Sequence, residues 1–248
     1  MRRSTTRVIT TALLMCAAAP AAFAQHAGNG YLFHAPDAQV TLRGGYAFAA
    51  AGSDLFQFAT DELTLNRRDF SSLTGGVELM FPIDGRFGLS VDASFMHSAA
   101  GSEFRHLIDN FNNPIRQTTT FDRAPIMFNA RYSLAPLGRS IGSLAFIPTK
   151  VVPYVGAGAG VMYYRFNQSG DFVDFQTTNV FSAEYKTDGW APAVQAFAGF
   201  DYSLTPSIAL TTDARYMWAK GHVSNDYQGF NKIDLSGVSA TVGLTFRL

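Results

Sequence analysis

Residues 87–95 read Phe-Gly-Leu-Ser-Val-Asp-Ala-Ser-Phe, and their alternation decides the fold class. Phe87, Leu89, Val91, Ala93 and Phe95 share one side of an extended chain, with Gly88, Ser90, Asp92 and Ser94 on the other. A period of two signals a strand, since a helix would repeat its apolar positions every three or four residues.

Working outward, seven further segments carry the same period. Residues 39–49 set Val40, Leu42, Tyr46 and Phe48 against Thr41, Arg43 and Gly45, and residues 74–81 set Val77, Leu79 and Phe81 against Gly76 and Glu78. Residues 123–134, 152–164, 194–202, 208–218 and 238–248 follow the same rule. Each is close to the roughly 9–11 residues with which a tilted strand crosses a bilayer. The predicted fold is all-β: a closed, up-and-down antiparallel transmembrane β-barrel of eight strands.

The connections alternate in length. Residues 50–73, 96–122, 165–189 and 219–233 are long, whereas 82–86, 135–151 and 203–207 are shorter. Short periplasmic turns and long extracellular loops give this arrangement in an outer-membrane barrel, and a soluble sandwich has no reason for it. The rival architecture is a soluble barrel of lipocalin type, with apolar residues inside. Aromatic placement opposes that rival. Phe48, Phe95, Tyr163, Trp190 and Trp218 fall at one end of the outward faces, and Phe81, Phe87, Tyr132, Tyr202 and Phe246 at the other, as two interfacial girdles. Pro125, Pro153 and Pro192 fall near expected strand starts, where a missing N–H disturbs the ladder least.

Ahead of these segments, Arg2, Arg3 and Arg7 precede an apolar run over residues 8–19, followed by Ala22-Phe23-Ala24. This order predicts a cleaved signal peptide over residues 1–24 and a barrel domain over 25–248. The single cysteine, Cys16, lies in that leader, so the exported chain has no disulfide, thiolate metal site or cysteine nucleophile. Without the three leader arginines, 16 basic side chains face 19 acidic ones, and no basic stretch suits nucleic acid. No later segment has the roughly 18 uninterrupted apolar residues of a transmembrane helix.

Residues 153–161 (PYVGAGAGV), 196–204 (AFAGFDYSL) and 212–216 (TDARY) resemble the small outer-membrane β-barrel family that includes opacity-like and OmpX/OmpA-barrel proteins. Residues 242–248 (VGLTFRL), with Val242, Leu244, Phe246 and Leu248 at alternate positions, resemble the terminal-strand signal read by the barrel assembly machinery. Leu248 stands where such signals usually end in phenylalanine. The resemblance implies a bacterial outer-membrane location, lipids and lipopolysaccharide as surroundings, and the assembly machinery as a partner during biogenesis. It leaves the role open, because the family includes structural proteins, adhesins and host-interaction proteins.

On the expected inward faces, Arg43, Arg131, Arg215 and Arg247 balance Glu78, Asp92, Asp201 and Asp213. A lumen enclosed by eight strands has room for side chains and little else, so these groups are expected to form an ion-pair network that fills it; a narrow solute path is the competing reading. Gly156, Gly158 and Gly160 make room for bulkier neighbours such as Arg131 or Phe197, and sit within a strand rather than in a phosphate-binding turn.

Near the outer loops, His97, His106 and His222, with Ser98, Glu103 and Asp109, are candidates for a lipid-modifying hydrolase. Residues 96–101 resemble the His/Ser stretch of outer-membrane lipid A deacylases, but Ser98 adjoins His97, which puts the two on opposite sides of a strand. No histidine pair has metal-ligand spacing, so no metal or cofactor is expected. Phe56, Phe58, Leu63 and Leu65, and later Phe172, Phe175, Phe181 and Tyr185, make the loops more apolar than ordinary solvent loops. They either extend the barrel as hairpins or form an adhesive surface for a host or surface ligand. The expected role is a non-enzymatic scaffold displaying its loops for envelope integrity, adhesion or surface interaction.

Overall fold

The computed structural model describes residues 31–109, 112–142, 145–174, 177 and 179–248. The signal-peptide reading over residues 1–24, and Phe175 among the loop aromatics, lie outside the described residues.

Eight long strands close into a ring: β1 (Gln39–Ala49), β2 (Ser72–Pro82), β3 (Phe87–Ile108), β4 (Pro114–Ser133), β7 (Val151–Val173), β8 (Val180–Ser203), β9 (Ile208–Gly221) and β11 (Gly237–Arg247). Each pairs antiparallel with the next, and β11 returns to β1 with Gln39 opposite Arg247 and Ala49 opposite Gly237. Closure leaves no free edge over the shared length of the ring, which satisfies the backbone without water.

The pleat is inverted relative to a soluble barrel. Leu73, Phe128 and Trp190 on the outer face are 77%, 65% and 61% exposed, while charged side chains lie inside, Asp92 at 2% and Arg215 at 5%. An apolar band of this extent around the whole ring suits a hydrocarbon surround, and the lipocalin arrangement is excluded. The aromatics of the outward faces pair both across and along strands: Tyr163 of β7 lies 5.4 Å from Trp190 of β8, and Tyr216 4.3 Å from Trp218 on β9, centroid to centroid.

Several elements differ from the sequence reading. Residues 96–122 and 165–189 are largely strand: β3 and β4 run 22 and 20 residues, β7 and β8 run 23 and 24. A tilted crossing uses about 9–11 residues, so roughly half of each hairpin stands beyond the apolar band. Those halves escape a search for apolar-out alternation because their outer face meets water: Arg116, Thr118, Thr120 and Asp122 point outward, and buried Ile115, Gln117, Thr119 and Phe121 inward. Pro125 and Pro192 consequently sit in mid-strand, and the β3–β4 ladder is interrupted where Pro125 offers no N–H.

The loop after β1 contains helix α1 (Asp54–Glu62) and a 3₁₀ turn, Arg67–Phe70. The stretch 135–151 holds a small hairpin, β5 (Gly138–Ile141) with β6 (Ala145–Pro148), and the last loop adds β10 (Ile233–Asp234) beside β9.

Candidate functional site

The interior has two storeys. In the half nearer the short turns, alternation points polar side chains at one another. Arg43 donates to Glu78 (2.6 Å) and pairs with Asp92 (2.9 Å). Arg215 reaches Glu78 (2.8 Å), Asp213 (2.9 Å) and Asp92. Arg131 pairs with Asp201 and lies 3.5 Å from the centroid of the Tyr154 ring. Neutral groups complete the layer: Gln195 donates to Asn129 (2.6 Å), Asn129 to Asp92 (3.3 Å), and Thr211 to Asp201 (2.8 Å). Every carboxylate here meets an arginine, an arrangement that tolerates burial where an isolated charge would not.

Arg247 is the member of the expected network that makes no ion pair among the described residues. At the short-turn end it donates instead to Ser203 Oγ (2.8 Å) and to the carbonyl of Pro206 (3.1 Å). The glycine stripe of β7 admits this layer. A Cβ on Gly158 would fall 2.0 Å from Asn129 Oδ1, so only glycine lets that amide cross the wall.

The upper storey is apolar. Leu55, Phe56 and Ala59 of α1 enter the mouth of the ring, where the Phe56 ring lies 4.7, 5.3 and 5.5 Å from those of Phe70, Phe121 and Phe166. Tyr227, Ile233 and Leu235 from the last loop close the other side. The two loops are latched together by Asp54, whose Oδ2 accepts the Asn231 backbone N–H (2.9 Å) and side-chain N–H (2.8 Å). Those hydrogen bonds, the backbone one foremost, hold the Asp54 carboxyl below its ordinary value. Tyr227 Oη donates to the Tyr185 carbonyl at 3.1 Å, and burial pushes its phenol up.

The buried charges of the described residues are Arg43, Arg123, Arg131, Arg215 and Arg247 against Glu78, Asp92, Asp201 and Asp213. Arg123 was not among the sequence candidates. It stood at the start of the expected strand 123–134, already in the inward parity of Met127, Asn129 and Arg131, but the true start at Pro114 places it in mid-strand and buried.

The hydrolase candidates are dispersed. His97 Nδ1 lies 2.5 Å from Asp122 Oδ1 on the outside of the ring, whereas Ser98 is buried on the inside and donates to the Phe121 carbonyl (3.4 Å). Glu103 pairs with Arg116 at 2.9 Å, and Asp109 accepts two hydrogen bonds from Asn113, so neither joins His97. Among the described residues no group of three or more His, Cys, Asp or Glu could hold a metal ion.

On β11, Val242 and Leu244 are exposed on the outer face, and Leu248, just past its end, is exposed as well. Of the girdle residues, Phe48, Phe95, Trp190 and Trp218 are exposed toward the hairpin end, and Phe81, Tyr132 and Tyr202 toward the short turns; Tyr163, Phe87 and Phe246 are half-buried on the same outer face.

Residues 8–246 match the family described as outer membrane protein beta-barrel domain. Among solved structures, the chain is similar to Neisserial surface protein A (14% identity, TM-score 0.46, covering 89% of this chain and 98% of that one). It is also similar to OprG of Pseudomonas aeruginosa (16%, 0.45, 88% and 99%) and Ail of Yersinia pestis (12%, 0.41, 86% and 99%). Comparison with the curated proteins finds no match.

Proposed function

Because this chain belongs to the outer-membrane β-barrel family, whose place is the bacterial outer membrane, we propose that it is a non-conducting, non-enzymatic anchor that presents two rigid hairpins, β3–β4 and β7–β8, at the cell surface. The observation that carries this reading is the doubly filled interior. An ionic layer with paired charges lies below an aromatic plug, and either alone narrows the lumen beyond what a hydrated solute needs.

The hairpins supply the exposed part. Beyond the membrane band, exposed Phe181 and half-buried Tyr185 of the β7–β8 hairpin lie with centroids 6.3 and 4.7 Å from half-buried Phe172, an aromatic cluster that Tyr185 joins to the plug and Phe181 offers to a surface or host ligand. Lipids and lipopolysaccharide surround the band between the girdles. The outward row Val242, Leu244, Phe246 and Leu248 serves the assembly machinery during insertion, after export directed by residues 1–24.

The display reading is tested by maleimide labelling of single-cysteine variants on intact cells. Phe181→Cys on the long hairpin is expected to label, and Ile83→Cys in a short turn to stay unlabelled until the membrane is opened. The reverse pattern overturns the orientation on which the proposal stands.

A further inference from the structure

The outer face of the protruding strands is not flat. An open cavity of about 480 Å³ is sunk into it over β3, β4 and β7. Gly101, exposed on β3, lines it, and a Cβ added there would meet nothing within 4 Å. The rest of the lining follows from the register. Gly101 is opposite Thr118 and Thr118 opposite Ser169, one row across three strands, while Glu103 is opposite Arg116 one pleat step farther from the membrane. Thr64 closes the free edge of β3 beside them: its N–H donates to the Glu103 carbonyl (2.9 Å), and its hydroxyl accepts the Glu103 N–H (3.0 Å).

These groups suit a ring bearing several hydroxyls. Arg116 Nε donates to Glu103 Oε1 (2.9 Å), so the pair is neutral as a unit. The two Nη groups of Arg116 and the hydroxyls of Thr118 and Ser169 make no hydrogen bond among the described residues. The cavity thus offers donors and acceptors together, without net charge and without a large apolar side chain. Its volume is within the about 300–1,000 Å³ of small-molecule sites. A neutral polar lining favours a hydroxyl-rich ligand over an isolated ion or an acyl chain, either of which would leave polar groups unmatched.

Height above the membrane identifies the source of such a ligand. Phe95 of the outer girdle and Gly101 are both exposed on β3. At about 3.3 Å per residue and a strand tilt near 40°, the cavity stands roughly 15 Å beyond the girdle. A headgroup layer is only about 5–8 Å deep, so phospholipid ends short of the cavity, whereas the saccharide of lipopolysaccharide extends past it. We propose that the cavity seats one neutral pyranose ring of the surrounding lipopolysaccharide, with Glu103 and Arg116 bridging adjacent ring hydroxyls and Thr118 and Ser169 meeting the opposite side. This inference rests on the reading above that the hairpins stand at the cell surface. Anchoring in the leaflet holds the sugar at high local concentration, so weak intrinsic affinity is enough for occupancy.

The test is NMR titration of the isotope-labelled full-length barrel in detergent micelles, with delipidated core oligosaccharide released from lipopolysaccharide as the probe. Saturable amide shifts at Gly101, Thr118 and Ser169 are expected. Gly101→Trp fills the cavity from a position with open space around it, so the rest of the spectrum should persist while those shifts disappear. Arg116→Met should weaken binding about tenfold through the lost charged donors. Sucrose, a neutral sugar foreign to that layer, is expected to leave the same amides unsaturated over the same concentrations. Absent shifts at these amides, or equal shifts in Gly101→Trp, overturn the site; saturation by sucrose at the same concentration overturns its assignment to lipopolysaccharide. Binding in micelles does not depend on which way the barrel is inserted, so failure here is distinguishable from failure of the maleimide labelling.

Discussion

Gly156 and Phe197 face each other across the β7–β8 ladder so closely that a Cβ on Gly156 would fall 2.2 Å from Phe197 Cζ. The ring occupies the glycine's side-chain space and lies 4.8 Å from the Arg215 guanidinium, at the edge of the ionic layer. Gly156→Ala is therefore expected to lower stability by about 1–3 kcal/mol through overpacking, read as a lower urea midpoint in micelles. Adding Phe197→Ala should cost less in that background than in the unaltered protein. An unchanged midpoint for Gly156→Ala would mean the wall yields there.

Arg215 touches Glu78, Asp92 and Asp213 at once. Arg215→Met leaves those carboxylates short of a partner in the lumen and should destabilise by about 3–5 kcal/mol. The Arg116–Glu103 pair, exposed on the hairpin, should lose no more than about 1 kcal/mol in Arg116→Met. Denaturant titration of both variants decides; similar losses would deny the interior layer its special weight.

The Asp54 latch gives an acid dependence of known sign. Its folded carboxyl titrates below the ordinary value of 3.8, so its contribution is complete above that value and disappears as pH falls through the lower folded one. At neutral pH, Asp54→Asn should speed hydrogen exchange in α1, and the difference from the unaltered protein should vanish in stronger acid. A difference that grows on acidification would contradict the latch.

The opposed placement of His97 and Ser98 predicts no acyl-ester chemistry from that pair. Lipid A mass spectra of cells with and without the protein should be identical in acylation. Loss of an acyl chain only in cells that carry the protein would show a nucleophile elsewhere.

Which parts of this molecule were legible in its sequence follows from what surrounds them. Within the membrane band, lipid outside and polar neighbours inside force the alternation seen at Phe87, Leu89 and Val91 against Ser90 and Asp92, so eight strands and the inward parity of the charges could be read directly. Beyond the band the outer face is wet, and the extension carrying Arg116, Thr118 and Thr120 reads as loop. Helix α1 hid in a stretch taken only as long and apolar, although Leu55, Phe56, Ala59 and Leu63 repeat at helical spacing. Arg123 was missed because it stood at the end of the expected strand, whereas the extension of β4 to Pro114 and the Leu235 carbonyl, more than a hundred residues away, enclose it.

The central claim is that ionic layer and aromatic plug together close the barrel. Single-channel recording of the purified full-length protein in planar bilayers addresses it most directly: insertion without discrete conductance steps is the expected result, and reproducible steps from the unaltered protein would contradict a closed lumen.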